Sequence, residues 1–188
     1  MSKKILCCGC VCYPESVCEN FFEKLNSTID VGYKYILHDK DVDKDGNLKK
    51  PHYHILFQSI LTATHWKAFY SLANVKHHED FFSPDGAEKY LSHEDNEDKH
   101  HYDKSEVKTS DNWDADIWDD LLEKEKKLKE KSEDADNVLF DIIQAIEEHN
   151  IRNIRQLTKW VMSNMDKSAI SVVVSKSYFF NTYMKDVD

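Results

Sequence analysis

The chain has 188 residues, 40% hydrophobic and 12% aromatic, enough to bury one domain core with a smaller appendage, which excludes a wholly disordered polymer. Its formal net charge is −10, and the excess sits early: residues 1–120 hold 14 Lys and Arg against 23 Asp and Glu. Because Lys and Arg supply non-specific affinity for phosphates, that balance counts against a general duplex-coating protein and any basic-patch mechanism, while remaining compatible with a protein that meets DNA through a few contacts and a bound cation.

In chain order, residues 4–13 read as a strand ending at Pro14, and Ser16 to Asn26 as a helix with Val17, Phe21, Phe22 and Leu25 on one face. Gly32 to Leu37 reads as a second strand. A polar loop, His38 to Lys50, follows, and His52 to Ile60 reads as a third strand. Thr64 is the expected N-cap of a helix reaching about Leu72. A short strand is expected near Val75 to Asp80, then a helix opened by Ser83-Pro84 in which Ala87, Tyr90 and Leu91 share a face. The order β-α-β-β-α-β-α predicts an α+β fold of ferredoxin-like or RRM-like type, an antiparallel sheet with helices on one face.

Beyond about residue 120 the character changes. Residues 121–136, LLEKEKKLKEKSEDAD, form a charge-dense spacer or hinge helix between a first domain at 1–120 and a small all-α domain at 137–188. Helices are expected at about 137–148, 151–163 and 167–184, with Val138, Ile142, Ile143 and Ile146 on one apolar face and Ile154, Leu157, Trp160 and Val161 on another. So small a bundle gains by packing against copies of itself. No run approaches the roughly 18 apolar residues of a membrane span, and Met1 to Leu6 lacks a secretory cleavage pattern, so a cytoplasmic protein is expected.

Four of the five cysteines, Cys7, Cys8, Cys10 and Cys12, crowd the first strand. With no second CxxC to complete four ligands, buried thiols are expected there, and neither zinc nor disulfides. The chemistry concentrates in Pro51-His52-Tyr53-His54. Side chains two apart on a strand share a face, so His52 and His54 present two imidazoles to one ion. The loop His38-Asp39-Lys40-Asp41, brought close by an antiparallel neighbour, would add a nitrogen from His38 and an oxygen from Asp41. Three imidazoles and a carboxylate suit Mn²⁺ or Zn²⁺ better than Mg²⁺. The run Asp39 to Gly46 resembles a calcium loop but lacks its late Glu. Pattern alone makes Tyr90 a core aromatic; it leaves His93, three residues on along the same helical face, as a cap or surface residue before a mover of the phenolic proton, and Asp39 as a ligand-orienting or solvated carboxylate.

In fixed order the sequence holds Val11-Cys12-Tyr13-Pro14-Glu15-Ser16, Leu37-His38-Asp39-Lys40-Asp41, Lys49-Lys50-Pro51-His52-Tyr53-His54, Lys89-Tyr90-Leu91-Ser92-His93-Glu94 and Tyr102-Asp103-Lys104. Together these resemble the RepB-type initiators of small rolling-circle plasmids of Gram-positive bacteria, within the HUH endonuclease superfamily. The likeness covers nearly the whole chain, including C-terminal helices similar to the family's oligomerisation domain. It implies metal ligands at His38, Asp41, His52 and His54 and a nucleophile at Tyr90; from the residues alone, Tyr102 in the His-rich run His100-His101-Tyr102 is the runner-up. It further implies a divalent ion, Mn²⁺ first with Mg²⁺, Co²⁺ or Zn²⁺ as alternatives. The partners it implies are origin DNA (a single-stranded nick site beside duplex repeats), further copies of the chain in a homo-oligomer such as a ring, and a host polymerase and helicase. The competing readings are a relaxase or transposase of the same superfamily, or a metal-stabilised origin-binding repressor without catalysis. The cysteine-rich first strand departs from the family's apolar pattern and bears on packing alone.

Overall fold

The computed structural model describes residues 4–75 and 77–186. Lys76, within the short strand expected at Val75 to Asp80, lies outside the described residues, as do the first three residues and the last two. Five strands make one antiparallel sheet: β1 (Cys7–Cys12), β2 (Tyr33–His38), β3 (His52–Phe57), β4 (Glu79–Phe81) and β5 (Lys108–Thr109), in the order β4-β1-β3-β2-β5. The helices between them are α1 (Phe21–Thr28), α2 (Ala63–Leu72) and α3 (Pro84–Ser92). The α+β class and the β-α-β-β-α-β-α order are those expected from the sequence, but the helices cover both faces of the sheet, α1 and α2 one and α3 the other, where helices on one face alone were expected.

Strand alternation sorts the side chains. Tyr53, Ile55 and Phe57 of β3 point with Cys8, Cys10 and Cys12 of β1 into a core closed by Phe21 and Leu25 of α1 and Trp66 and Phe69 of α2. His52, His54 and Leu56 take the other face. There Cys7, Ile36 and Leu56 pack with Ala87 and Leu91 of α3 and with Tyr102, Trp118 and Leu121. Cys7 and Cys10 therefore occupy opposite faces of the sheet and do not converge on one ion. Gly9 is required on β1 because a Cβ there would come within 2.6 Å of the Ile55 carbonyl oxygen.

Several boundaries differ from expectation. Pro14–Ser16 is a separate 3-10 turn, Val17 is extended and bridges Ala73, and α1 begins only after the left-handed Asn20. Thr62, not Thr64, caps α2, its hydroxyl accepting from His65 N at 3.2 Å. Ser83 caps α3 as expected, accepting from Gly86 N. The charged run is helical, and it merges with its neighbours into α4 (Ala115–Glu148). Near the start of that helix the buried Glu125 binds Ser83 Oγ at 2.6 Å and Asp85 N at 3.0 Å, anchoring the first turn of α3.

The chain divides into two compact units, residues 1–125 and 126–188. The second contains the C-terminal part of α4 with α5 (Ile154–Asn164), α6 (Lys167–Ser175) and α7 (Ser177–Asp186). The helix expected at 167–184 breaks at Lys176, which caps α6 through its backbone N–H. The core of this unit joins Ile142, Ile146, Leu157, Val161, Val173 and Phe180. Leu157 is fully buried, so Leu157→Ala should destabilise the unit by about 2–5 kcal/mol, read as a lowered urea midpoint; an unchanged midpoint contradicts this packing.

Candidate metal and nucleophile site

The site is built on the pairing of β2 with β3. His38 lies directly opposite His52, and Ile36 opposite His54, so His38, His52 and His54 rise from one face of the sheet. Sequence reading ended the second strand at Leu37; the structure carries it through His38, which places this imidazole on the strand and fully buries it. One ring nitrogen from each of the three histidines lies within 4.8 Å of the others, as does a second group of His38, Asp41 and His93. The two groups share His38. Asp41 lies 3.6 Å from the Nδ1 atoms of both His38 and His93.

Backbone carbonyls fix which nitrogen carries the proton. His38 Nε2 lies 2.7 Å from Leu91 O, and a carbonyl only accepts, so Nε2–H donates and Nδ1 keeps its lone pair. That Nδ1 is buried without a hydrogen-bond partner. His52 Nδ1 donates in the same way to Lys50 O at 2.8 Å, leaving Nε2 free to ligate. An imidazole oriented by a carbonyl behind it, with an unshared pair facing a cluster of donors, is the usual arrangement around a metal ion. The donor set therefore fits a divalent transition-metal ion.

Tyr90 projects from α3 and is 38% exposed, accessible to a substrate. Its ring lies 5.3 Å from that of His54 and 5.4 Å from that of His93, centre to centre. The phenolic oxygen accepts a hydrogen bond from Lys99 Nζ at 2.8 Å. The structure thus brings together the imidazoles and the tyrosine ring that the sequence selects, while Asp39 is exposed. Tyr102 is buried and stacked on His38 with ring centres 4.5 Å apart; its hydroxyl donates to Asp41 and accepts from Lys40 N. Burial first, then the nearby Asp41, pushes its phenol up to about 12. Tyr102 is thus enclosed between His38 and Asp41, whereas Tyr90 is open to solvent.

For His93 sequence reasoning gave the cap and missed the burial. The residue caps α3 in the left-handed conformation, as a capping role requires, but it is 1% exposed and belongs to the inner cluster instead of the surface. Its spacing from Tyr90 was visible; its approach to Asp41 depends on how the loop after α3 folds back, which no local pattern reveals.

Residues 3–116 match the family described as plasmid replication protein, origin binding domain, and residues 132–187 match that described as replication protein RepB, C-terminal. Replication protein RepB of Lactiplantibacillus plantarum is 30% identical over 162 residues, which cover 82% of this chain and 67% of that protein. The fold and these matches define a plasmid replication protein with an origin-binding domain. The chain belongs to the plasmid replication protein family of which RepB is a member. Among the described residues no helix is long and apolar enough to cross a membrane.

Burial, followed by repulsion from neighbouring histidines, holds His54 down at about 2; burial above all holds His38 down at about 4, against an ordinary value of 6.5. Both rings are neutral in the folded chain, as ligation requires, and gain protons more readily once it unfolds. Their stabilising contribution is complete above pH 6.5 and is lost as the pH falls, toward 4 for His38 and on toward 2 for His54. With a chelator present, the urea midpoint of the N-terminal unit should fall across that window and fall less in His54→Asn. A midpoint constant from pH 6.5 to 4 contradicts the buried neutral pair.

Proposed function

We propose that this replication protein opens its plasmid origin by nicking one strand, with Tyr90 as nucleophile and His38, Asp41, His52 and His54 holding a divalent ion. The observation that carries the reading is the exposed Tyr90 ring packed against His54, one of three histidines whose ligand atoms lie within 4.8 Å of each other. When bound, a divalent ion would neutralise charge on a non-bridging oxygen of the scissile phosphate and make the phosphorus more electrophilic. Mn²⁺ suits the mixed nitrogen and oxygen donors best, with Co²⁺, Zn²⁺ and Mg²⁺ as alternatives.

The chain's own residues supply the rest. The Leu91 and Lys50 carbonyls hold the His38 and His52 rings with one nitrogen aimed inward. Helix α3 presents the phenol beside those rings, and Glu125 keeps the start of that helix fixed. The Tyr90 oxygen attacks phosphorus. An O–P bond forms, the bond from phosphorus to the 3′-oxygen breaks, and the departing oxygen takes up a proton to become a 3′-OH. The product is a 5′-phosphotyrosyl link beside a primer end for a host polymerase. The covalent bond preserves the phosphodiester's energy for later rejoining. A phosphate inside a regular duplex does not reach such a cluster, so the cut strand is single-stranded or extruded, while duplex repeats beside it supply origin recognition.

The C-terminal unit supports self-association. Phe140, Met162, Val174 and Tyr178 are 61–85% exposed, more large apolar surface than a small solitary bundle usually leaves in water. We propose that this unit joins copies of the chain into a homo-oligomer, a ring being one arrangement.

Incubated with Mn²⁺ and single-stranded origin oligonucleotides, the wild-type chain should yield a DNA–peptide adduct detectable by mass. Tyr90→Phe should abolish that adduct while retaining duplex origin binding, and His54→Ala or chelation should reduce cleavage at least about 100-fold. Undiminished cutting by Tyr90→Phe excludes this nucleophile, and origin binding without any cutting by the wild type favours a non-catalytic repressor. Light scattering should give a mass of several chains, lowered by Met162→Glu or Phe140→Glu; a monomer at all concentrations refutes the association.

A further inference from the structure

We infer that Lys99 is a catalytic residue of the proposed transesterification, its ammonium fixing the Tyr90 oxygen and stabilising the negative charge that this atom bears as it joins and leaves the phosphodiester. The inference rests on the reading of Tyr90 as nucleophile and goes beyond it. Lys99 Nζ lies 2.8 Å from the phenolic oxygen and 4.3 Å from the centre of the ring, so one cation contacts both the reacting atom and the face of the aromatic system that carries it.

Lys99 is itself held in place. His93 Nδ1 donates to His100 O at 2.9 Å, which leaves the lone pair of Nε2 facing Lys99 Nζ at 3.5 Å. The turn that returns the lysine to the site is closed by Lys99 N donating to Asn96 O. The ammonium thus sits between an imidazole nitrogen and the phenol. Its charge is also unspent. Lys34, Lys40, Lys50, Lys89 and Lys104 each pair with a carboxylate, whereas among the described residues none pairs with Lys99. In so acidic a domain, a lysine turned to a phenol instead of one of the many carboxylates directs its field at that oxygen.

The chemistry needs such a group. A phenol, with an ordinary pKa of about 10, attacks weakly at neutral pH, and the oxygen gains negative character as its proton departs. In the forward step the Oη–P bond forms, the P–O3′ bond breaks, the phenolic proton passes to solvent and the 3′-oxygen takes one from solvent. In rejoining, the 3′-OH attacks and the same phenolic oxygen leaves with its electron pair. An ammonium has no lone pair, so it accepts nothing. It donates a charge-assisted hydrogen bond to an oxygen that is electron-rich in both directions.

The test uses the full chain with Mn²⁺ and single-stranded oligonucleotides tiled across the origin, comparing wild type, K99M, K99R and Y90F. K99M should melt with the wild type and bind DNA with an unchanged KM, but lose roughly 10- to 100-fold in kcat for both adduct formation and rejoining. K99R should recover most of the rate. Replacing Tyr90 by 3-fluorotyrosine, whose oxygen bears negative charge more readily, should narrow the gap between wild type and K99M. Should K99M unfold, K99Q gives the same comparison. Wild-type kcat in K99M, a defect in KM alone, or a kcat defect that fluorotyrosine leaves untouched overturns the role of Lys99 while leaving Tyr90 intact. An adduct that survives in Y90F, or none in the wild type, overturns both.

Discussion

The register between β2 and β3 is the constraint on which the rest of the molecule depends. His38 opposite His52 and Ile36 opposite His54 put three imidazoles on one side of the sheet and the aromatic core on the other. Strand side chains alternate with period two, so a slip of one residue would turn His52 and His54 into the core and bring Tyr53 and Ile55 out. The large apolar side chains of β3, Phe57 and Ile55, therefore do more than stabilise the sheet. By preferring the covered face they hold the histidines on the chemical one, and Gly9 lets β1 approach closely enough to complete the ladder.

Around that frame the polar groups are assigned locally. Carbonyls of Leu91 and Lys50 set the tautomers of His38 and His52, Tyr102 braces Asp41, and His93 reaches both Asp41 and Lys99. Many of these contacts come from α3 and the loop after it, the segment that also carries Tyr90. The same short stretch thus fixes the clustered imidazoles and positions the Tyr90 ring beside them.

Much of this was legible in the sequence. The alternation at His52-Tyr53-His54, the capped start of α3 at Ser83-Pro84 and the order of strands and helices are local signals, and each appears in the fold. The two-residue β5 carries too little pattern to be seen, and its existence depends on Lys34 and Tyr35 offering an open edge. The expected boundary between the charged run and the helix after it is absent because nothing in LLEKEKKLKEKSEDAD stops a helix, so α4 passes straight through. Tyr90 was distinguished from an ordinary core aromatic only by resemblance; its exposure and its neighbours are tertiary facts. The positions of His93, Tyr102 and Lys99 likewise follow from a loop folding back on the sheet, which periodicity does not encode.

The grip of Glu125 on Ser83 and Asp85 has a practical consequence for anyone dissecting the chain. A fragment cut at the end of the sheet and its loops would retain every imidazole and the phenol yet lose the carboxylate that seats the helix beneath that phenol. A fragment that keeps α3 seated therefore has to run past Glu125, and shorter pieces that retain every side chain of the cluster would hold Tyr90 on a loosened helix.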